Sequence, residues 1–329
     1  MIAYEDIRLV EVELSSNCIA TCPLCSRNLF GHNKDMGFAK TNITLDKFKK
    51  IFSPAFLKQL KKIIFQGNFG DPSSNRQTPE IVEYILDNNS SISIEGHTHG
   101  SLQSTRWWER LHPLTLFFGL DGLEDTHSLY RKNTNFNKAI ENATAFVNAG
   151  GKAFWKMIEF DHNRHQIGAC ETMAKELGME FQLIRNGKGT GPVFNHKKEY
   201  THSINNFSGS KIFEDYVHEE LLLEDVDAQP TGNIKCMALN TQGIFVQSNG
   251  EVYPCCYMAH YPRTYRKGGW AEPFNKQLLK ILGENNALEK GIESSIEWFS
   301  SIPQTWDIKN FEDGRLLYCD QNCGNCKIR

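Results

Sequence analysis

The sequence lacks any apolar stretch long enough to cross a membrane. A bilayer-spanning helix needs roughly 20 consecutive apolar residues. The opening residues 1–6 include acids and no long apolar run, unlike a secretory signal peptide. We therefore expect a cytoplasmic protein with no membrane partner.

A strong charge of one sign is also missing. The chain has 36 Lys and Arg residues against 39 Asp and Glu residues, for a net charge of −3, and contains no long basic block. Nucleic-acid-binding surfaces usually carry clustered basic residues, so a nucleic-acid partner is not indicated. We find no internal repeat and no low-complexity segment. The 329 residues allow one barrel-sized domain and a smaller one.

Cysteine is the residue type that stands out. Nine of the ten cysteines fall into two groups, three near the start of the chain and six near its end. The groups are Cys18, Cys22 and Cys25, and then Cys236, Cys255, Cys256, Cys319, Cys323 and Cys326. Because cytosolic proteins rarely use disulfides, clustered cysteines indicate metal or redox chemistry.

Strand-like and helix-like segments alternate over residues 1–185. The six predicted strands are residues 7–14, 62–66, 92–96, 114–120, 152–160 and 179–184. Apolar residues recur at helical spacing between them, as in Phe136, Ala139, Ile140 and Ala143, where Gly150 is placed to cap the helix. This alternation predicts an α/β fold with a parallel sheet, a partial (β/α)6 barrel of the TIM type. In such barrels the chemistry lies where strands end and helices have not yet begun.

The alternation stops after Ile184. We interpret residues 186–233, which are Gly-rich and then polar, as a connector. Residues 234–329 form a second predicted region, a small cluster-binding domain made of a β-hairpin and helices. Its hairpin has strands at 243–246 and 252–253, and an Asn-Gly turn at 249–250.

The first three cysteines follow the first predicted strand in the spacing C-x3-C-x2-C. Three thiolates this close can ligate three irons of a 4Fe-4S cluster and leave the fourth iron open. A structural zinc site or free thiols are the alternatives, but three cysteines without a nearby fourth ligand make a poor closed zinc site.

This motif, at this place in a partial barrel, resembles that of the radical S-adenosylmethionine (SAM) superfamily. The resemblance implies that SAM chelates the open iron and that the reduced cluster breaks a carbon–sulfur bond of SAM, which yields methionine and a 5′-deoxyadenosyl radical. That radical then takes a hydrogen atom from the substrate. The residue before the third cysteine, often aromatic in the family and placed against the adenine, is Leu24 here.

Further SAM contacts are implied by the same resemblance. Gly70-Asp71-Pro72 follows the second strand, where the family carries a Gly-Gly-Glu-Pro type motif for the SAM amino group. An ordinary Gly/Pro turn is the alternative. Asp121 and Arg131 follow the fourth strand and contact SAM or substrate in one interpretation, or are a loop acid and a solvated arginine in the other. His97 and His99 follow the third strand and face the site by topology.

The C-terminal cysteines resemble those of SPASM and shorter twitch domains, which hold auxiliary 4Fe-4S clusters. The six cysteines are too few for two such clusters, so we expect one probable second cluster, held by Cys236, Cys255 and two of Cys319, Cys323 and Cys326. Cys256 is then the spare cysteine. A zinc ribbon is the alternative.

The sequence therefore predicts a radical SAM enzyme that abstracts a hydrogen atom from a small-molecule substrate, with an oxidation as one candidate reaction. A maturase acting on a peptide or protein is the alternative. The first strand begins near Ile7 and leaves no room for a preceding peptide-binding domain, which favours the small substrate. A reducing partner such as flavodoxin or ferredoxin is implied. A purely electron-transferring protein would not need a cluster with an open iron.

Overall fold

The computed structural model describes residues 2–25, 27–33, 39–185, 189–209, 211–213, 233–259 and 277–324. It contains an eight-stranded sheet in which seven strands run parallel. The strands in chain order are β1 (Leu9–Val12), β2 (Asn28–Leu29), β3 (His32–Asn33), β4 (Lys62–Phe65), β5 (Ser93–Thr98), β6 (Thr115–Gly119), β7 (Lys152–Ile158), β8 (Glu180–Ile184), β9 (Gly191–Phe194), β10 (Tyr200–Ile204), β11 (Gly243–Val246) and β12 (Val252–Tyr253).

The strand order in the sheet is β12-β11-β1-β4-β5-β6-β7-β8. The six strands predicted from the sequence correspond to β1 and β4–β8, and they lie side by side in chain order. This confirms the predicted mixed α/β fold with a mostly parallel sheet, consistent with a partial TIM-type barrel. The helices are α1 (Leu45–Ile51), α2 (Pro54–Gln59), α3 (Thr78–Asn88), α4 (Thr105–Glu109), α5 (Glu124–Tyr130), α6 (Phe136–Asn148), α7 (Ile167–Glu176), α8 (Met237–Thr241), α9 (Ala287–Ser295), α10 (Ser301–Gln304) and α11 (Leu317–Cys323).

Local sequence explains where the helices begin and end. The Thr44 hydroxyl accepts a hydrogen bond from the Lys47 N–H at 3.3 Å and caps α1, and Thr-x-x at a helix start is a signal that the sequence itself carries. Gly150 follows α6 in the left-handed region, with φ +94°, where a residue with a Cβ would be strained. The apolar faces that these helices bury form one core with the sheet.

The hairpin β11–β12 is not an isolated unit. Strand β11 pairs in parallel with β1, with Leu9 opposite Gly243 and Val12 opposite Val246. Phe245, Val252 and residues of the following helices belong to the same hydrophobic core as the barrel strands. The predicted division at residues 185 and 234 stays a prediction, but the described part of the C-terminal region packs as an extension of the sheet.

The region after Ile184 is more regular than the sequence predicted. Strands β9 and β10 form an antiparallel hairpin there. The Phe194 N–H donates to the Phe30 carbonyl at 2.8 Å, and Val193 and Ile204 pack with Ala20 and Cys22. The hairpin is thus held by contacts with the cysteine loop that are distant in sequence. In the described part of the chain, no helix is long and apolar enough to cross a membrane.

Candidate active site

A cavity of about 450 Å³ opens at the carboxyl ends of the parallel strands. This is the end of the sheet at which the barrel topology predicts chemistry. Its walls come from the loops after β1 and β4 and from the ends of β5, β6 and β7. The lining residues include Cys18, Cys22, Cys25, Arg27, Gln66, Asn68, Gly70, Asp71, His97, His99, Phe117, Tyr130, Arg131 and Lys156.

The three N-terminal cysteines all line this cavity, as their spacing predicted. Burial raises the pKa of the Cys18 thiol to about 12 and that of Cys22 to about 11, while the nearby cations Arg27 and Arg131 act in the opposite direction. The neutral thiols therefore keep their protons at pH 7, and ligation of a metal must displace them.

Arg27 is a cavity residue that the sequence analysis missed. Its side chain is buried, and its guanidinium donates to the Ala20 carbonyl between the first two cysteines. An arginine two residues after the third cysteine carries no motif of its own, so only the folded loop reveals the contact. Arg27 fixes the loop backbone and places a cation beside the thiols.

Gly70 allows the loop after β4 to come into backbone contact with the loop after β1. A Cβ at Gly70 would lie 1.7 Å from the Ser15 carbonyl oxygen, so no other residue fits without moving the backbone. The next residue, Asp71, donates its N–H to the Asn17 carbonyl at 2.9 Å. The loop after β4 therefore braces the segment that leads directly into Cys18.

The Asp71 carboxylate is buried and accepts several internal hydrogen bonds. Its Oδ1 accepts from the Ser73 N–H at 2.9 Å, the Ser73 hydroxyl at 2.5 Å and the Thr98 hydroxyl at 2.9 Å. Its Oδ2 accepts from the His99 N–H at 2.8 Å. Asp71 thus ties β4 to β5 and also lines the cavity, with acceptor capacity left on Oδ2.

Two histidines at the end of β5 line the cavity. The His97 ring stacks on Phe117 with centroids 4.7 Å apart, and burial lowers its pKa to about 4. His99 is fully buried, and its Nδ1 accepts from the Ser101 N–H at 3.0 Å. Both imidazoles are therefore neutral at pH 7.

Asp121 and Arg131 form an ion pair with each other. The Arg131 Nε donates to Asp121 Oδ2 at 2.6 Å, and Asp121 Oδ1 accepts from the Ile158 N–H at 2.6 Å. Asp121 is buried and lies behind the cavity wall, whereas Arg131 lines the cavity near Cys22. The structure thus places the two predicted residues together, with only the arginine on the cavity.

Leu24 lies outside the cavity lining. Its side chain is half-buried in the small core formed by Ala20, Cys22 and the β9–β10 hairpin. A Cβ on Gly191 of that hairpin would come 3.3 Å from Leu24 Cδ2. Leu24 therefore serves the packing of the hairpin on the cysteine loop.

A second, small pocket gathers the C-terminal cysteines. Cys236, Cys255, Cys319 and Cys323 line it, although up to 87 residues separate them in sequence. Cys319 is buried and the other three are half-buried, and burial raises the pKa of the Cys319 thiol to about 12. The Cys236 sulfur accepts from the Leu239 N–H, and the Cys255 sulfur accepts from the Met258 N–H. Cys326 lies outside the described residues.

The Cys256 side chain does not line the pocket that the other described C-terminal cysteines share. Its thiol lies against the Glu11 carboxylate, and burial together with that negative charge raises the pKa of Cys256. The Cys256 carbonyl accepts from Asn68 Nδ2 at 2.8 Å. Adjacent cysteines thus serve different contacts, and Asn68 links the first cavity to the segment that carries Cys255.

Cysteine side chains dominate the metal-binding donors at both sites. Among the residues that the structure describes, no three His, Cys, Asp or Glu side chains close around the position of one metal ion. An iron–sulfur cluster is a larger group, with separate thiolates on separate irons. Each of the two sites offers cysteine sulfurs around a space, with three in the first and four in the second.

Comparison with known proteins identifies the fold. No family model and no curated protein matches this chain. SuiB from Streptococcus suis, solved bound to S-adenosylmethionine, is similar to it with a TM-score of 0.53 at 15% identity, over 95% of this chain and 77% of that chain. The protein anSMEcpe with bound AdoMet gives 0.54 at 15% identity, over 88% and 77%.

The same anSMEcpe, solved with AdoMet and the Cp18Cys peptide, gives a TM-score of 0.53 at 16% identity and covers 97% of this chain and 88% of that chain. At these identities the likeness concerns the fold. This chain has the fold of the radical SAM enzymes, which its sequence resembles.

Proposed function

We propose that this protein is a radical SAM enzyme. The observation that carries the proposal is the meeting of Cys18, Cys22 and Cys25 on one cavity at the carboxyl ends of the parallel strands. A 4Fe-4S cluster held by these thiols would supply the electron and the open iron needed to cleave SAM into methionine and a 5′-deoxyadenosyl radical. The fold shared with SAM-bound enzymes supports the same assignment.

The side chains around the cavity hold the cysteine loop in place and offer polar groups to SAM. Arg27 and the Gly70–Ser15 contact hold the cysteine loop, and Asp71 offers an acceptor for an amine. Arg131 is kept charged by Asp121 and places a cation next to Cys22. The β9–β10 hairpin packs on the cysteine loop and supports it from the side of the chain after β8.

We infer a second, auxiliary 4Fe-4S cluster at Cys236, Cys255, Cys319 and Cys323. Four thiolates would leave no iron open, so the cluster would carry electrons rather than bind substrate. Such a cluster would accept the electron left on a substrate radical, as an oxidation requires. A zinc ion on the same cysteines is the competing assignment.

The proposed substrate is a small molecule. The cavity has a volume of about 450 Å³ and must also hold SAM, so the substrate has to be compact. A peptide is the second candidate, because two similar structures were solved with peptides, SuiB with the precursor peptide SuiA and anSMEcpe with the Cp18Cys peptide. A flavodoxin or ferredoxin is the proposed electron donor.

The first test is SAM cleavage. Anaerobically reconstituted and reduced protein is expected to release 5′-deoxyadenosine, measured by chromatography. Cys22→Ala should abolish the release, while Cys170→Ala, which changes a cysteine buried in the core away from the site, should retain it. Release at the wild-type level by Cys22→Ala would refute the cluster assignment.

The substrate class is tested by isotope transfer. A candidate small molecule or peptide carrying deuterium at the reactive position should deliver deuterium into 5′-deoxyadenosine, as measured by mass spectrometry. Transfer from peptides alone would favour the maturase over the small-molecule enzyme.

A further inference from the structure

The His99 side chain presents a buried donor that nothing in the protein satisfies. Its Nδ1 accepts from the Ser101 N–H at 3.0 Å, so in the neutral imidazole the proton lies on Nε2. This Nε2 has no hydrogen-bond partner among the described residues, although the side chain is only 2% exposed. Buried donors are almost always satisfied, so an unpaired one on a cavity wall indicates a ligand or an ordered water.

The nearest acidic atom to this donor belongs to Asp71. Asp71 Oδ2 lies 3.6 Å from His99 Nε2, too far for a hydrogen bond. The backbone N–H of His99 already holds that oxygen at 2.8 Å, which fixes the two side chains relative to each other. The cavity therefore shows one acceptor and one donor next to each other, at a rigid junction between β4 and β5.

This pair is complementary to the head of an α-amino acid. An α-amino acid carries an amine, which donates, and a carboxylate, which accepts, on one carbon atom. Asp71 is close enough to Cys18 to raise the pKa of that thiol, so the pair lies on the side of the cavity where the cluster would be held. Hydrogen abstraction from a substrate requires neither the His99 donor nor the Asp71 acceptor. The methionine end of SAM, which is an α-amino acid, matches both.

We propose that His99 Nε2–H donates a hydrogen bond to the carboxylate of SAM, while Asp71 Oδ2 accepts from its amine. The inference rests on the proposed function and assigns a role within it to His99. His99 is a positioning residue in this view, because it orients the methionine end of SAM and takes no part in bond cleavage.

The test compares two substitutions and two ligands. In His99→Asn the amide oxygen replaces Nδ1 and keeps the Ser101 contact, but the side chain ends short of the Nε2 position. We expect SAM to bind about ten- to a hundredfold more weakly to the reconstituted variant, in equilibrium binding, as for loss of a hydrogen bond to a charged group. Decarboxylated SAM lacks only the carboxylate and should bind the variant and the wild type equally well.

Controls separate this contact from a general defect. His112→Asn makes the same change in an exposed histidine that does not line the cavity, and should leave SAM affinity within about threefold of wild type. His99→Gln restores an amide near the Nε2 position and should recover part of the SAM affinity. Iron content and the thermal midpoint report whether each variant is folded and loaded.

The outcomes are distinct. Equal SAM affinity of His99→Asn and wild type would overturn the inference and leave the proposed function standing. An equal loss for SAM and decarboxylated SAM would also overturn it, because the effect would not involve the carboxylate. A reconstituted wild type that binds no SAM would overturn the proposed function and this inference together.

Discussion

At the scale of single residues, Asp71 combines a structural role with the binding role proposed for it. The sequence presents it only as the acid of a Gly-Asp-Pro turn. In the fold its carboxylate collects donors from Ser73, Thr98 and His99 before any ligand arrives. A substitution there must therefore affect stability as well as binding.

We predict that Asp71→Ala weakens SAM binding about ten- to a hundredfold, as for loss of a charge-assisted hydrogen bond. It should also lower the free energy of unfolding, by about 1–3 kcal/mol for each buried donor left unpaired. Binding titration and urea denaturation measure the two effects. Thr98→Val removes one of the internal donors and should affect stability less. An unchanged SAM affinity would argue against a direct contact.

The buried imidazole of His127 makes the free energy of unfolding depend on pH, and this dependence can be measured without a cofactor. Burial lowers its pKa from 6.5 to about 3, and its Nδ1 accepts from the Asp121 N–H at 3.2 Å. As the pH falls through 6.5, the unfolded chain takes up a proton that the folded chain refuses. The stabilisation is therefore complete above pH 6.5 and is lost progressively toward pH 3.

We predict that His127→Gln flattens the acid side of the stability curve. One such group contributes a slope of about 1.4 kcal/mol per pH unit between the two pKa values. Urea denaturation of wild type and variant at several pH values from 7 to 5, a range chosen to span the pKa of a free histidine, measures the slope. Parallel curves would contradict the assignment.

At the scale of elements, the loops after β1 and β4 act as one unit. Gly70 is in backbone contact with Ser15, and Asp71 donates to the Asn17 carbonyl. Cys18 follows immediately, so the position of the first proposed cluster ligand depends on a loop about 50 residues further along the chain. The glycine assigned to SAM binding from its motif thus has a packing function too.

We predict that Gly70→Ala displaces the cysteine loop, because its Cβ would lie 1.7 Å from the Ser15 oxygen. The reconstituted variant should retain less iron and be less stable than wild type. Gly168→Ala is the matched control, since its Cβ would meet nothing within 4 Å and it lies in α7. That change should be neutral or stabilise by about 0.5–1 kcal/mol. Normal iron content in Gly70→Ala would show that the loop adapts.

At the scale of the whole molecule, the C-terminal region is joined to the barrel through the sheet. Strand β11 lies beside β1, and the buried ion pair of Arg315 with Asp320 holds the helix α11, which carries Cys319 and Cys323. Asn68 connects the SAM-side cavity to the Cys255–Cys256 segment. The two proposed cluster sites are therefore parts of one packed structure.

We predict about eight irons per chain in the reconstituted wild type and about four in the Cys18/Cys22/Cys25 triple alanine variant, at four irons per cluster. Iron and zinc analysis by mass spectrometry measures both. The Cys236/Cys255 double alanine variant should also hold about four irons and still cleave SAM. Cys256→Ala changes the neighbouring cysteine and should keep about eight. Zinc in the triple variant would make the C-terminal site structural and remove its role as electron acceptor.

The sequence by itself determined the six barrel strands, their parallel order and the cysteine triplet at a strand end. These features are local: strand and helix periodicities, a helix cap at Thr44 and a three-cysteine spacing are readable over a few residues. The position of the active site followed from them, because every parallel strand ends at the same edge of the sheet.

Only the tertiary structure decided which side chains share the site. The hairpin β9–β10, the pairing of Asp121 with Arg131, the buried Arg27 and the unpaired Nε2 of His99 all depend on contacts between segments far apart in sequence. It also brought Cys236 and Cys255 to Cys319 and Cys323, and directed Cys256 to Glu11 instead. Spacing along a chain fixes which residues are neighbours in a loop or helix, whereas burial and the partners of each polar atom are set by packing between elements.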